Sequence, residues 1–369
     1  TLFPYTTLFR SLRSRLPKDE KNRPFVDVFC LTHPDQDHIL GFEEHFHTGP
    51  MSDYKDENDL EDRKIYLKEM WSSPVVFRRA NKRKGFTLCD DAKAWRTEAK
   101  RRVELWRKSN ASKSEEGNRI KLFGKDLDAD GNDKNNDLAQ ITELSGDSFE
   151  ALALGNGSGV TINVLGPLDD GEVDGDEDDD VLAKNRSSIM FQACLKKDDG
   201  HKAPAKLLIG GDAEVTVWEK LWSDFGEGSK KDWLKYDILL SPHHCSWRSL
   251  SHGSWSECKE QDDENCEVSP DARKALSQTE PGAYVISSSK PVKAEDGDPP
   301  SVGAKKEYVN IAGDDDQFVC TGETPSDEKP RPLEFAVVAE GVAKRSKGSA
   351  AAAATSVSGN AMSEPAIHG

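Results

Sequence analysis

The sequence predicts a mixed α/β fold, because short apolar segments typical of buried strands alternate with helical segments along the chain. The first such segment, FVDVFCL at 25–31, has the length and residue types of a buried strand, and polar residues follow it at once. Residues 90–109 carry apolar side chains at helical spacing, and a second helix is predicted at 215–225. Further strands are predicted at 65–77, 159–167, 187–195, 205–210, 236–240, 283–287 and 333–339.

Length and charge limit the domain count and the kind of partner. The 369 residues are enough for one large α/β domain with insertions, or for two domains. Lys and Arg number 50 against 67 Asp and Glu, so the net charge is −17. This excess of acid argues against broad electrostatic binding of nucleic acid, unless basic residues gather around one site.

Apolar runs and cysteines indicate the compartment. No apolar run approaches the roughly 18–20 residues that span a bilayer, and no charged-then-apolar signal peptide is visible. The cysteines are scattered and odd in number, which is typical of reduced thiols. We therefore expect a cytoplasmic protein without a membrane segment. The cysteines are Cys30, Cys89, Cys194, Cys245, Cys258, Cys266 and Cys320.

A cluster of metal-ligand residue types directly follows the first strand. It comprises His33, Asp35, Asp37 and His38. Two carboxylates that shared a pocket would repel each other, and a divalent cation would offset that repulsion. The alternative is a polar turn with solvated charges. A second set of possible ligands downstream, namely Asp212, His243 and His244, fits the same site and favours the metal site over this alternative.

Four motifs carry a resemblance to a known family. THPDQDH at 32–38 resembles the first metal motif of the metallo-β-lactamase superfamily, whose common form is HxHxDH. The HxDxDH form found here is similar to the metallohydrolase domain attached to the DNA-uptake competence protein ComEC, and to its stand-alone relatives. The later motifs, in order, are NRSSIMF at 185–191, LLIGGDAE at 207–214 and YDILLSPHHCSWRS at 236–249. The four together are specific to the superfamily and not to a substrate.

The resemblance implies an αββα sandwich in which loops at one rim hold the metal ligands. By this resemblance, His33 and Asp35 bind one ion, Asp37 and His38 bind the other, and Asp212 bridges the two. It also implies catalytic roles for Asp37 and Asp212.

One histidine of the PHH motif, His243 or His244, completes the second site by the same resemblance, and the sequence leaves the choice open with a slight preference for His243. Contacts with substrate are expected from four polar residues near the motifs, although an ordinary polar strand entry explains the first two equally well. These are Asn185, Ser188, Ser246 and Ser249.

Two departures from the common motif bear on the metal. Asp35 stands where the second histidine usually lies, and NRSSIMF occupies the place of a separate histidine that usually follows a middle strand. The resulting set is rich in oxygen, which favours manganese or magnesium more than a three-histidine pocket would, and zinc remains an alternative. We expect two divalent ions, zinc or manganese.

The expected function is metal-dependent hydrolysis. The resemblance implies a phosphodiesterase or nuclease of the ComEC-like branch that uses a hydroxide held between two cations, with a phosphodiester or nucleic acid as substrate. The same site could hydrolyse an ester, thioester or lactone. A catalytically inactive binding module is the third alternative, and the retained ligand set argues against it.

The chain is predicted to comprise one domain with unusual ends. Residues 1–11, TLFPYTTLFRS, resemble a translated sequencing adapter, so we expect 1–24 to be an artefact or linker and 1–11 to pack against nothing. The domain is placed at 25–340, with insertions at about 50–150 and 168–184. Because family members begin with further strands, we expect N-terminal strands to be missing and a sheet edge to be exposed. Residues 341–369 are low in complexity and predicted to be disordered.

Overall fold

The predicted mixed α/β architecture is confirmed. The computed structural model describes residues 5–56, 59, 62–74, 88–127, 130, 132–151, 159–168, 187–196, 203–258, 266–294, 297–326, 331–338 and 341–345. These residues form two sheets, a separate hairpin and several helices. The predicted insertion at 168–184, apart from its first residue, and the tail beyond residue 345 lie outside the described residues.

The first sheet contains four parallel strands in the order β1-β2-β3-β4. They are β1 (Phe25–Leu31), β2 (Tyr66–Ser72), β3 (Arg119–Phe123) and β4 (Thr142–Glu143). Among the described residues β1 pairs only with β2, and its first six residues are half-buried, as an edge strand requires. The segment predicted as an insertion at about 50–150 supplies β2, β3 and β4 of this sheet. Residue propensities alone did not predict β3, because it lies within a polar stretch of the sequence.

The second sheet contains seven strands in the order β11-β10-β9-β8-β7-β6-β5. They are β5 (Ser148–Glu150), β6 (Val160–Gly166), β7 (Met190–Leu195), β8 (Ala205–Ile209), β9 (Tyr236–Leu240), β10 (Thr279–Ser287) and β11 (Phe318–Cys320). Strands β8 to β11 are parallel to one another. Their carboxyl ends therefore meet at one edge, which is where the later motifs emerge.

The helices cover the outer faces of the two sheets. They are α1 (Tyr5–Arg15), α2 (Gln36–Ile39), α3 (Phe42–His45), α4 (Asp90–Arg107), α5 (Val215–Phe225), α6 (Trp255–Cys258), α7 (Pro270–Leu276) and α8 (Val302–Ala312). Trp95 of α4 packs in one core with Leu67 and Leu122 of the first sheet. Trp218 of α5 packs in another core with Leu239 of the second sheet.

A third core lies between the two sheets. Trp71 and Phe123 of the first sheet meet Ile162 and Phe191 of the second sheet there, and the Trp71 and Phe191 rings are 5.9 Å apart. Both faces of each sheet are thus apolar, which explains why the central strands read as continuous apolar runs.

The amino-terminal residues do pack against the domain, so the prediction that 1–11 contact nothing is wrong. Phe9 of α1 is 8% exposed and its ring lies 5.8 Å from that of Phe46, at the edge of the core beneath α4. Leu12 packs against the same core. The predicted absence of a strand holds for the described part of this segment, since residues 5–15 form a helix.

The last described residues form a hairpin. Strands β12 (Phe335–Val338) and β13 (Gly341–Lys344) pair in antiparallel fashion, and the Phe335 ring contacts that of Tyr284 in β10 at 5.0 Å. The disordered tail predicted from residue 341 therefore starts too early.

Cysteine pairing differs from the expectation. Cys258 and Cys266 form a disulfide, with Cα atoms 5.1 Å apart, so the prediction of reduced thiols is wrong for this pair. The other five cysteines are free. No helix in the described ranges is both long and apolar enough to cross a bilayer.

Candidate metal centre

The first motif leaves the edge strand and turns directly into a short helix. His33 follows the buried end of β1 by two residues and is 1% exposed. Asp35 has an extended backbone and precedes α2, which carries Asp37 and His38 in its single turn. Because the helix starts so soon after the strand, the centroids of the His33 and His38 rings lie 4.1 Å apart.

The LLIGGDAE motif forms a glycine turn after β8 that presents Asp212. Gly211 has a φ of +53°, which favours glycine, and a Cβ there would meet Cβ of Ser188 at 2.8 Å. This close approach lets the backbone N–H of Asp212 donate to Oγ of Ser188 at 3.1 Å. The Asp212 side chain is 6% exposed.

The PHH motif after β9 adopts a strained turn. Three successive residues other than glycine have positive φ, with values of 47° at His243, 53° at His244 and 69° at Cys245. Such conformations cost about 1–3 kcal/mol each and persist where surrounding contacts impose them. Here the N–H of His243 donates to the Gly211 carbonyl at 3.0 Å, and the Ser301 N–H donates to the Cys245 carbonyl at 3.0 Å.

The structure brings the predicted metal-binding residues together around the Asp212 carboxylate. Nε2 of His33 lies 3.3 Å from Oδ2 of Asp212, and Nε2 of His38 lies 3.1 Å from Oδ1. Two groups have ligand atoms within 4.8 Å of one another and could each hold a metal ion. These groups are His33, His38 and Asp212, and Asp37, His38 and His244.

The remaining predicted ligands surround these two groups. Oδ2 of Asp35 lies 3.9 Å from Nε2 of His33. Nε2 of His243 lies 3.8 Å from Oδ2 of Asp212. His244, not the preferred His243, belongs to the second tight group, because its Nε2 lies 3.1 Å from Oδ2 of Asp37.

Charge coupling is strong within the cluster. Burial would raise the pKa of Asp212, but the imidazoles of His33 and His38 hold that pKa far below its usual range. Burial would lower the pKa of His244, but Asp37 and the Asp212 carboxylate raise it to about 9. The hydrogen bond from His244 in turn lowers the pKa of Asp37. The Asp37 and Asp212 carboxylates are thus ionised at neutral pH, and a divalent cation would offset their negative charge.

His33 shows directly how the residues fit a cation. Its Nε2 is buried and makes no hydrogen bond, although it faces the carboxylates. Its Nδ1 lies 3.1 Å from Oγ1 of Thr32 and 3.4 Å from Oγ of Ser188. One ring nitrogen held by polar neighbours and the other aimed at carboxylates is the arrangement of a metal-binding imidazole.

Two supporting residues escaped the sequence reasoning. Thr32 orients His33, and its place as the first residue of THPDQDH could have indicated this role. The Ser288 carbonyl accepts from Nδ1 of His244 at 2.8 Å. No sequence signal marks this second contact, since it joins residues 44 positions apart through a backbone atom.

The three described serines for which substrate contacts were predicted are buried and bond to the protein. Ser188 is completely buried, and its hydroxyl supports Asp212 and His33 instead. Ser246 is 1% exposed and caps a short helical turn by accepting from the Arg248 N–H. Ser249 is completely buried and donates to the Pro242 carbonyl. Asn185 lies outside the described residues.

Comparison of the chain with known proteins identifies no family. No protein-family model, curated protein or solved structure matches the chain.

Proposed function

We propose that this protein is a metal-dependent phosphodiesterase, with nucleic acid among its substrates, of the ComEC-like branch of the metallo-β-lactamase superfamily. The order of the four motifs along the chain supports this proposal. So do the core between the two sheets and the helices packed on each sheet, which are compatible with the αββα sandwich that the resemblance implies.

The single observation that carries the proposal is the position of Asp212. Its carboxylate has one imidazole at each oxygen, 3.3 Å away at Oδ2 and 3.1 Å away at Oδ1. These imidazoles come from a different strand end, and the PHH turn closes the cluster from a third. A chain has little structural reason to gather so many ionisable groups, since burying them costs free energy.

Two divalent ions, zinc or manganese, would offset the charge that builds on a phosphoryl oxygen during hydrolysis. The protein's own groups supply the geometry. Asp212 would hold the metal through its carboxylate, and the buried His33 would be a ligand beside it. The Asp37 side chain is 62% exposed, so it lies where a substrate would enter.

The test is hydrolysis of bis-p-nitrophenyl phosphate by protein loaded with manganese or zinc, followed by single- and double-stranded DNA. We expect activity that chelation abolishes and that Asp212→Ala removes while the far-UV circular dichroism stays unchanged. Hydrolysis of carboxylic esters alone, lost in the same variant, would move the function to acyl substrates. Phosphodiester cleavage that survives both chelation and Asp212→Ala would overturn the proposal.

A further inference from the structure

The ring of Trp255 in α6 lies between two segments that support the PHH turn. On one side is Trp247, which follows the turn and is 8% exposed, and the centroids of the two indole rings lie 5.2 Å apart. On the other side is Gly303 in the first turn of α8, where a Cβ would meet Cζ3 of Trp255 at 2.2 Å. Trp255 therefore fixes the distance between these two segments.

Both segments bond through their backbone next to the PHH turn. The N–H of Ser301, directly before α8, donates to the Cys245 carbonyl at 3.0 Å. The N–H of Trp247 donates to Oδ1 of Asp298 at 3.0 Å. Left-handed conformations of residues other than glycine persist only where the surroundings impose them. A displacement of Trp255 would therefore loosen the contacts that hold the PHH turn in its strained conformation.

The helix that carries Trp255 depends on a disulfide for its position. α6 has only four residues, Trp255–Cys258, and so short a helix is not stable by itself. Its last residue, Cys258, is bonded to Cys266, which precedes α7, and Cys258 packs against the same core as Trp255. The disulfide thus ties the end of α6 to a second point of the chain and limits how far Trp255 can move.

We propose that the Cys258–Cys266 disulfide is a redox switch for the metal centre. The oxidised pair holds Trp255 against Trp247 and keeps metal affinity high, and reduction of the pair lowers that affinity. Both cysteines are partly exposed, so a small thiol can reach the bond. The inference rests on the metal centre of the proposed function and gives that centre a form of regulation.

The chemical step is thiol–disulfide exchange with a small dithiol. A thiolate of the reductant attacks one sulfur of the pair, and the other sulfur leaves as a thiolate that takes up a proton. The second thiol of the reductant then breaks the mixed disulfide. Two electrons and two protons have thus passed to Cys258 and Cys266, and the reductant has become a disulfide. Oxidation by a small disulfide is the reverse of these steps.

The test is titration of metal-depleted protein with Mn²⁺, in which electron paramagnetic resonance counts the free ion, before and after reduction with dithiothreitol. Mn²⁺ is the probe because thiolates favour softer ions. We expect reduction to lower the affinity by about 10–100-fold, the usual effect of losing outer support of a ligand. Cys258→Ser/Cys266→Ser should behave like the reduced protein with or without dithiothreitol. Cys89→Ser/Cys194→Ser, at two free and half-buried cysteines, is the matched control and should respond like the wild type.

Trp255 decides whether the effect passes through the packing. Trp255→Ala should lower Mn²⁺ affinity by about 10–100-fold with the disulfide intact. It should respond no further to reduction, because both changes remove the same contact. Trp222→Ala, at a partly buried tryptophan of α5 that packs against the same core, should keep the full response. Phenylalanine replacements at both positions provide a second pair if an alanine variant fails to fold by circular dichroism. Loss of affinity on reduction of folded Trp255→Ala, as large as in the wild type, would overturn the proposal.

Thermodynamic linkage provides a second measurement. If reduction weakens Mn²⁺ binding by a given factor, saturating Mn²⁺ must make the disulfide harder to reduce by the same factor. Equilibration in glutathione buffers, followed by alkylation and mass spectrometry, gives the reduced fraction of Cys258 and Cys266 with and without the metal. We expect a shift of about 10–100-fold in the equilibrium constant. An equilibrium that Mn²⁺ does not shift would contradict the switch.

The outcomes separate this inference from the proposed function. Equal metal affinity in the oxidised and reduced protein would overturn the switch and leave the phosphodiesterase proposal intact. A redox-dependent affinity in a protein that cleaves no phosphodiester would preserve the switch and reject the substrate class. If the oxidised protein binds Zn²⁺ alone, the same comparison is made with Zn²⁺ between the wild type and Cys258→Ser/Cys266→Ser. A folded protein that binds neither ion in either state would overturn both.

Discussion

Replacing Gly211 by alanine should damage both stability and metal binding. The φ of +53° costs an alanine about 1–2 kcal/mol. The new Cβ would also lie 2.8 Å from Cβ of Ser188 and 3.2 Å from Cβ of Thr32, and overpacking of this kind costs about 1–3 kcal/mol. We therefore expect a loss of about 2–5 kcal/mol in the free energy of unfolding.

The same substitution should reach the metal centre, because the neighbours that must move hold the ligands. Ser188 accepts from the Asp212 N–H, and both Ser188 and Thr32 contact Nδ1 of His33. We expect Zn²⁺ affinity to fall by about 10–100-fold, the usual effect of losing outer support.

Gly228→Ala is the matched control for this prediction. Gly228 has a φ of +84°, and a Cβ there would meet nothing within 4 Å, so only the backbone cost applies. Urea unfolding of the metal-free proteins gives the stability difference, and calorimetry gives the affinity. Equal losses in the two variants, with zinc affinity unchanged in Gly211→Ala, would refute the close-approach argument.

Three further predictions concern single side chains. Ser188→Ala should lower Zn²⁺ affinity by about 10–100-fold in calorimetry, whereas Ser246→Ala should lower thermal stability only, because Ser246 caps a turn. Glu98→Gln should cost about 3–5 kcal/mol in urea unfolding, since it removes the partner of Arg102, a guanidinium that is 1% exposed. Burial raises the pKa of Glu98, but the guanidinium groups of Arg101 and Arg102 lower it by a larger amount. The pKa of Glu98 in the folded protein therefore lies below its value in the unfolded chain. The stability difference between wild type and Glu98→Gln should therefore be complete above about pH 4.5 and shrink as the pH falls below it; a difference that grows in acid would contradict this.

Local patterns predicted eight of the thirteen described strands and the longest helix, and the structure shows why. The strand at 25–31, the helix at 215–225 and the strand at 236–240 have the predicted bounds. Each places its apolar residues against a core, so periodicity and burial agree. Strand β3 was missed because its RIKLF sequence is interrupted by charge, and pairing with β2 and packing of Leu122 and Phe123 override that weak signal.

The candidate site was predictable as a set of residues and not as a geometry. Ligand types clustered after strands, and the ends of the parallel strands β8 and β9 lie at one sheet edge, which explains the convergence of Asp212 and His244. His33 follows a strand of the other sheet. The roles of the serines were not predictable, because a hydroxyl near a motif serves equally well as a buried support. The positions of the His243 and His244 rings depend on left-handed backbone conformations, and the residue types in PHHC do not predict these conformations.

The most direct test of the two-ion centre is anomalous diffraction from crystals grown with Mn²⁺ or Zn²⁺. We predict two peaks, one on each side of the Asp212 carboxylate, each within roughly 2–2.5 Å of its ligand atoms. One peak should lie beside His33 and the other beside His38. Crystals that contain the metal but show no peak at Asp212 would contradict the account.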